Sequence, residues 1–542
     1  MTPWDSLEAG DWVGAWTAAI QQDTVSHKAV IAMVMAQWWA SPLDAVEVVK
    51  SAQASPLMRC ASAYVELLQG RGDIVPRLIT DLQSISLTDV PAWVRHWLMI
   101  EHAGRSRALD QQALLVRKVL ERAETRSLSW LYLACMLSLD QKEIDKAPIK
   151  RILRNVRTSN PHALLLNVEL SDDNNKRREG LEQLVQRFSD AYWIDIRYFQ
   201  ILAALGDVEL IISRLDRLAA QGTIDGRAIQ RWLMLSLSHP AWFQTFAQRH
   251  ARASTLVPRT ARCKGAIDTY ALIYAWISSD IAMAHQIYSV STEYGKTSLT
   301  KEEERNRVFY NYILHLCLFM QNNSHIYRQS TDKIYVIGES HALSPHGISF
   351  SLNGRLAQAY ACFVMGVKMF HLKSASKNIY KSCVLAQIEN SPYDSPIIFA
   401  IGEIDCRLHE GIWQYAHKTG QSPEVVAEVT VREYVEFLRE TLAERDPKLI
   451  TLQGVPAPLA SLEELQTADE RQKFLNMIRW VNLCLKRETL NAGWSFLDTY
   501  SATAGDDGRS TGEWHLDSHH LKPSFYPQAH RWLLRSDHDP IA

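Results

Sequence analysis

The chain has 542 residues, 47% hydrophobic and 22% charged, a balance that suits a globular protein with more than one core and excludes a disordered or fibrous one. Lys and Arg number 58 against 60 Asp and Glu, and no run of five like charges occurs, so neither nucleic acid nor an anionic membrane is expected as the main partner. No apolar stretch approaches the roughly 18 residues of a membrane span, the start lacks a secretory signal, and the eight cysteines form neither a Cys-x-x-Cys pair nor a disulfide-like cluster, so a cytoplasmic location is expected.

Residues 1–325 read as helix after helix. Apolar positions recur at three- and four-residue spacing, and strand signals are nearly absent. Gly72-Asp73 and Gly206-Asp207 each read as a helix stop followed by a helix start, and Ser41-Pro42 and Ser278-Ser279-Asp280 as further starts. Such short helices joined by tight turns resemble a degenerate tetratricopeptide-type array, which implies a surface for a protein partner. Twelve of the 17 tryptophans lie upstream of residue 320. Packing between helices accounts for most of them, while the adjacent Trp38 and Trp39 cannot both face one core and fit an aromatic surface for a protein or sugar.

Helical character ends near Gln321-Asn322-Asn323-Ser324, and the boundary is placed between 322 and 332, with a second domain over 326–542. Strands are expected at 334–338, 368–372, 396–401, 448–455 and 494–498, and helices at 351–365, 376–389, 423–445 and 467–488. That alternation predicts an α/β fold with a parallel sheet covered on both faces.

The strand Lys333–Ile337 breaks on Gly338-Glu339-Ser340-His341-Ala342, and Asp517-Ser518-His519-His520 follows about 180 residues later. A serine hydroxyl needs an imidazole to take its proton and a carboxylate to orient that imidazole, and an Asp three residues before a His can do the latter. Ser340, Asp517 and His520 are therefore the candidate catalytic set. These blocks resemble the SGNH/GDSL hydrolase superfamily, with Glu339 in place of the usual Asp. The resemblance implies a three-layer α/β/α, flavodoxin-like fold and a serine esterase or O-acyltransferase acting on an acyl ester, an O-acetylated glycan being favoured. It implies an oxyanion hole built from the backbone N–H groups of Ser340 and Gly366.

In the block corresponding to Gly-x-Asn-Asp, Gly402-Glu403-Ile404-Asp405, Ile404 occupies the Asn position and offers no hydrogen-bond donor. Arg407 is the candidate replacement, and His341, Glu403 and Asp405 are candidate substrate contacts, although a structural salt bridge explains the acid-acid-base set Glu403, Asp405 and Arg407 about as well. Cys406 reads better as a small buried hydrophobe than as a reactive thiol. His515, Asp517, His519 and His520 offer a rival zinc set, but no further cluster completes a shell, so no metal or cofactor is expected. The alternative function is a catalytically weakened SGNH domain in a partner-binding scaffold of glycan or flagellar assembly.

Overall fold

The computed structural model describes residues 161–535 apart from short stretches, the longest at 188–191, 258–263 and 292–300, together with scattered positions before 161. The tryptophan pair Trp38-Trp39 and the helix starts at residues 41 and 72 lie outside the described residues. Chain contacts divide the molecule into two compact units: Met1–Leu202 with two short later stretches, and Ala203–Ala542 without those stretches. The second unit thus begins well before the sheet.

Of the first unit, helices α1 (Pro161–Glu169) and α2 (Asn174–Arg187) are described, joined by an ion pair from Arg177 to Glu169 at 3.1 Å. A third helix, α3, spans Tyr192–Leu205. Gly206 then stops the helix at φ 75°, and α4 (Val208–Gln221) starts after Asp207. Helices α5 (Gly226–Ser238), α6 (Phe246–Leu256), α7 (Lys264–Ile277), α8 (Ile281–Ser291) and α9 (Lys301–Asn322) follow. The expected start at Asp280 is a true cap, its carboxylate accepting from the Met283 N–H at 2.9 Å. Asp216 of α4 ties three helices together, accepting from Trp232 on α5 at 2.9 Å and from both Nε and Nη2 of Arg249 on α6. The buried Trp276 of α7 donates to the Leu343 carbonyl at 2.9 Å, which fastens this helical half to the turn beyond the first strand.

That strand, β1, is Lys333–Gly338, and no strand precedes it among the described residues. It belongs to a seven-stranded sheet with β2 (Ser349–Leu352), β3 (Arg355–Phe363), β4 (Ile397–Ala400), β5 (Ile450–Gln453), β6 (Ser495–Leu497) and β7 (Leu533–Leu534), in the order β2-β3-β1-β4-β5-β6-β7. β3, β1, β4, β5 and β6 are mutually parallel, and the two edge strands run antiparallel. β4 and β5 are buried at every position, as strands covered on both faces must be. On one face Ile334, Val336, Ala357, Ala359, Ile398 and Ala400 join Phe525 and Tyr526 of the 3-10 segment Pro523–Trp532 in a single cluster. Helices α10 (Ile379–Asn390), α11 (Pro423–Thr441) and α12 (Ala468–Asn491) complete the cover, α10 packing on β1 and α12 on β5 and β6.

Two expected elements are corrected. The helix placed at 351–365 is the β2–β3 hairpin. Leu352 pairs with Arg355 across Asn353-Gly354, whose φ values of 52° and 81° are those of a tight two-residue turn. The strand placed at 368–372 is a short helix, Met369–Lys373. β3 alternates buried Ala357, Ala359 and Ala361 with less buried neighbours, so period two wins over period 3.6.

Candidate active site

The parallel order reverses at β1. The chain crosses one way to β3 and the other way to β4, so the switch point of the sheet lies at the carboxyl ends of β1 and β4, where such sheets hold ligands. β1 ends on Gly338, and a Cβ there would lie 2.2 Å from the Ala400 carbonyl oxygen, so only glycine lets β1 and β4 close up at this edge. The chain then folds into a 3-10 turn over Ser340–Ala342.

The structure brings Ser340, His520 and Asp517 together. His520 Nε2 lies 2.8 Å from Ser340 Oγ, and His520 Nδ1 lies 2.7 Å from Asp517 Oδ2. A carboxylate only accepts, so Nδ1 carries the proton and Nε2 is left to accept from the serine hydroxyl. Asp517 also accepts from the backbone N–H groups of His519 and His520, each at 2.8 Å, so the same carboxylate shapes the loop and orients the ring. Burial opposes ionisation of Asp517, but the His520 ring and those two amides outweigh it and hold its pKa well below the usual range. Burial lowers the His520 pKa and Asp517 only partly offsets this, so His520 is neutral at pH 7.

Beside the serine stands an ion pair. Glu339 Oε1 accepts from His341 Nδ1 at 2.6 Å, and His341 Nε2 donates to the His519 carbonyl at 3.0 Å. Both partners only accept, so the ring carries both protons. Although burial disfavours the charge, Glu339 outweighs it and lifts the His341 pKa to about 9. Glu339 Oε2 also hydrogen-bonds Ser340 Oγ, so two acceptors, Glu339 and His520, reach for one hydroxyl proton.

Glu403, just past β4, accepts from Arg407 Nη2 at 2.7 Å and from His519 Nδ1 at 3.1 Å. Burial works against its charge, but Arg407, His519 and His341 keep Glu403 well below the ordinary carboxylate range. Arg407 is thus engaged by Glu403 rather than standing free as an oxyanion donor. Asp405 is fully buried and accepts from the Met369 and Phe370 amides at 2.7 and 3.3 Å, which makes it a tie between loops rather than a substrate contact. Burial pushes its pKa up to about 7 against those amides. Ile404 is buried in the 3-10 turn Ile404–Cys406 and gives no donor. The buried Cys406 has its thiol pKa pushed well up, first by burial and then by Asp405 and Glu403, so it is unreactive there.

Of the expected oxyanion amides, that of Ser340 opens the 3-10 turn and therefore has no acceptor within it. Gly366 lies two residues beyond Val364, whose N–H donates to the Gly338 carbonyl at 2.8 Å, so the Gly366 turn leaves β3 at the same sheet edge. The rival zinc set disperses: His515 Nδ1 meets Ser510 Oγ at 2.8 Å, His519 faces Glu403, and His520 faces Asp517 and Ser340. Glu339, His341 and Glu403 hold donor atoms within 4.8 Å of one another, but both His341 nitrogens are already committed, which suits an ion pair better than a cation shell.

Sequence reasoning did not find Tyr312, whose ring stacks on His520 at 3.7 Å between centroids. It also missed the pairings of Glu339 with His341 and of Glu403 with His519. Comparison of the chain with protein-family models, with curated proteins and with solved structures finds no match, so any functional reading rests on the residues and their geometry. No helix among the described residues is long and apolar enough to cross a membrane.

Proposed function

We propose that the protein is an SGNH-type serine esterase or O-acyltransferase. The observation that carries this reading is the unbroken chain from Asp517 through His520 to Ser340 Oγ, with contacts of 2.7 and 2.8 Å. Taken alone, the five parallel strands run in the order 2-1-3-4-5, which is the flavodoxin-like order, with the serine at its switch point. In place of a crossover helix between the first two of those strands, this chain has the β2 hairpin arm.

On this reading Ser340 Oγ attacks the acyl carbonyl as its proton passes to His520 Nε2, and Asp517 stabilises the imidazolium. The carbon–oxygen bond to the leaving alcohol breaks, that oxygen takes the proton from His520, and the acyl group stays on Ser340. Water or a second hydroxyl, deprotonated by His520, then bonds to the acyl carbon, the bond from that carbon to Ser340 Oγ breaks, and Oγ takes the proton back from His520. The backbone N–H groups of Ser340 and Gly366 hold the oxyanion. An acetylated glycan as substrate, a protein partner on the helical region and a cytoplasmic location belong to the same proposal, the last in keeping with the five cysteines among the described residues, all free and buried.

Ile404 favours a second reading, a weakened domain serving as a scaffold, because a missing oxyanion donor costs about 10²- to 10³-fold in kcat. A fluorophosphonate probe separates the two. The esterase reading expects labelling of Ser340 that Ser340→Ala abolishes. Because the folded site depresses the His520 pKa, labelling should persist below pH 6.5 and fall only at more acid pH. Wild-type protein unlabelled from pH 5 to 9, and inactive on aryl acetates and acetylated sugars, would leave the scaffold.

A further inference from the structure

Tyr312 belongs to α9, 28 residues before the serine and outside the sheet, yet it touches two members of the triad. Its ring stacks on the His520 imidazole with centroids 3.7 Å apart and planes 15° apart. Its hydroxyl donates to the Ser340 backbone carbonyl at 3.1 Å. The side chain is completely buried, so neither contact is a passing surface encounter.

We propose that Tyr312 is a positioning residue: its ring fixes the plane of His520 and its hydroxyl fixes the backbone of Ser340, so that one helical side chain sets the approach of base to nucleophile. The inference rests on the esterase reading only for its catalytic consequence, since the contacts stand without it. Asp517 holds the imidazole at one edge, and the second torsion of histidine is broad, so the far nitrogen can swing out of plane. A flat phenol face 3.7 Å away blocks that swing. When His520 takes the serine proton it becomes a cation lying on that face, an arrangement that favours the protonated ring. Tyr312 itself stays neutral, because burial first, then Asp517, Tyr526 and Glu339, hold its pKa well above the usual value. The other groups facing His520 are Asp517 on its own loop and Glu339 and His341 on the serine turn, with His515 and His519 beside it in the chain.

The test follows the His520 ring by NMR in full-length protein carrying labelled histidine, assigned with His520→Ala, alongside fluorophosphonate labelling rates. In the wild type the His520 ring protons should lie upfield, shielded by the tyrosine. Tyr312→Phe keeps the face, so the upfield position and the His520 pKa should hold while the labelling rate drops a few-fold. Tyr312→Leu removes the face, so the upfield shift should vanish, the His520 pKa should fall by about half to one unit, and labelling should slow about tenfold. A wild-type ring without the upfield shift overturns the proposal, as does a Leu variant that keeps both pKa and rate. If Tyr312→Leu does not fold, the wild-type shift and its retention in Tyr312→Phe decide. Expected NMR results without labelling in any form would overturn the esterase reading while leaving the hold of Tyr312 on His520 in place.

Discussion

At the residue scale the buried pair of Glu339 and His341 has the clearest energetic consequence. An imidazole raised to about 9 in the folded protein, against about 6.5 when unfolded, stabilises fully below pH 6.5 and loses that contribution as pH rises through 9. The loss is about 3 kcal/mol, of the order expected for 2 to 3 pKa units. Chemical denaturation at pH 6, 8 and 10 should show stability falling across that window. His341→Ala should start about 3–5 kcal/mol lower, because it strands a buried carboxylate, and should show a shallower alkaline fall. Parallel declines in the two proteins would remove His341 as the source. The meeting of Ser340, His520 and Asp517 was legible in sequence, since Gly-acid-Ser after a strand and Asp-x-x-His in order are local patterns. Tyr312 was not: nothing in the spacing of a helical Tyr310-Asn311-Tyr312 points to a ring more than 200 residues later. The pairing of Arg407 with Glu403 joins residues four apart, a local spacing, and a structural salt bridge there is one of the two readings the sequence offers.

At the element scale, the buried strands β1, β4, β5 and β6 and the long helices α10, α11 and α12 fall where sequence periodicity puts them. The misreading at 351–365 came from weighing apolar spacing over turn chemistry. Asn353-Gly354 is a strong two-residue hairpin signal, and Asn353 also donates to the Lys448 carbonyl at 2.9 Å, which pins the turn to the start of β5. Glycine substitutions should rank the two edges of this sheet region. Gly354→Ala meets no atom within 4 Å but sits at φ 81°, so it should cost about 1–2 kcal/mol from backbone strain. Gly338→Ala drives a methyl into the Ala400 carbonyl and should cost about 3 kcal/mol or more while displacing the serine turn. Thermal melts and probe labelling of the two variants check this ranking. Equal stability losses with labelling intact in Gly338→Ala would show that the β1–β4 edge yields more easily than its packing indicates.

At the scale of the whole molecule, the change from helical to alternating sequence near residue 325 marks a change of element type, while the compact unit containing the sheet begins at Ala203. Polar ties among the described residues cross that sequence boundary, including Trp276 to Leu343, Tyr312 to Ser340, and Ser238 to both Met365 and Gln387. Sequence patterns could not announce these ties, because each joins a helix residue to a partner lying 28 to 149 residues away. A fragment beginning at 203 should therefore melt cooperatively with well-dispersed amide resonances. One beginning at 326, stripped of Trp276 and Tyr312, should lose fixed side-chain packing and most labelling. A sharp, cooperative melt of the shorter fragment would show that the sheet half is self-sufficient.

The order of these parts along the chain has a consequence for biosynthesis. During synthesis α9 emerges first, then the serine turn, and only 180 residues after the serine does His520 leave the ribosome. Throughout that interval Ser340 has its neighbours Glu339 and His341 but not the His520 imidazole, and Tyr312 has no His520 ring to press against. The hydrogen-bonded chain from Asp517 through His520 to Ser340 can close only when that later segment docks. A chain released before His520 thus carries a serine without its partner imidazole, and the chemistry proposed for the site waits on that later segment.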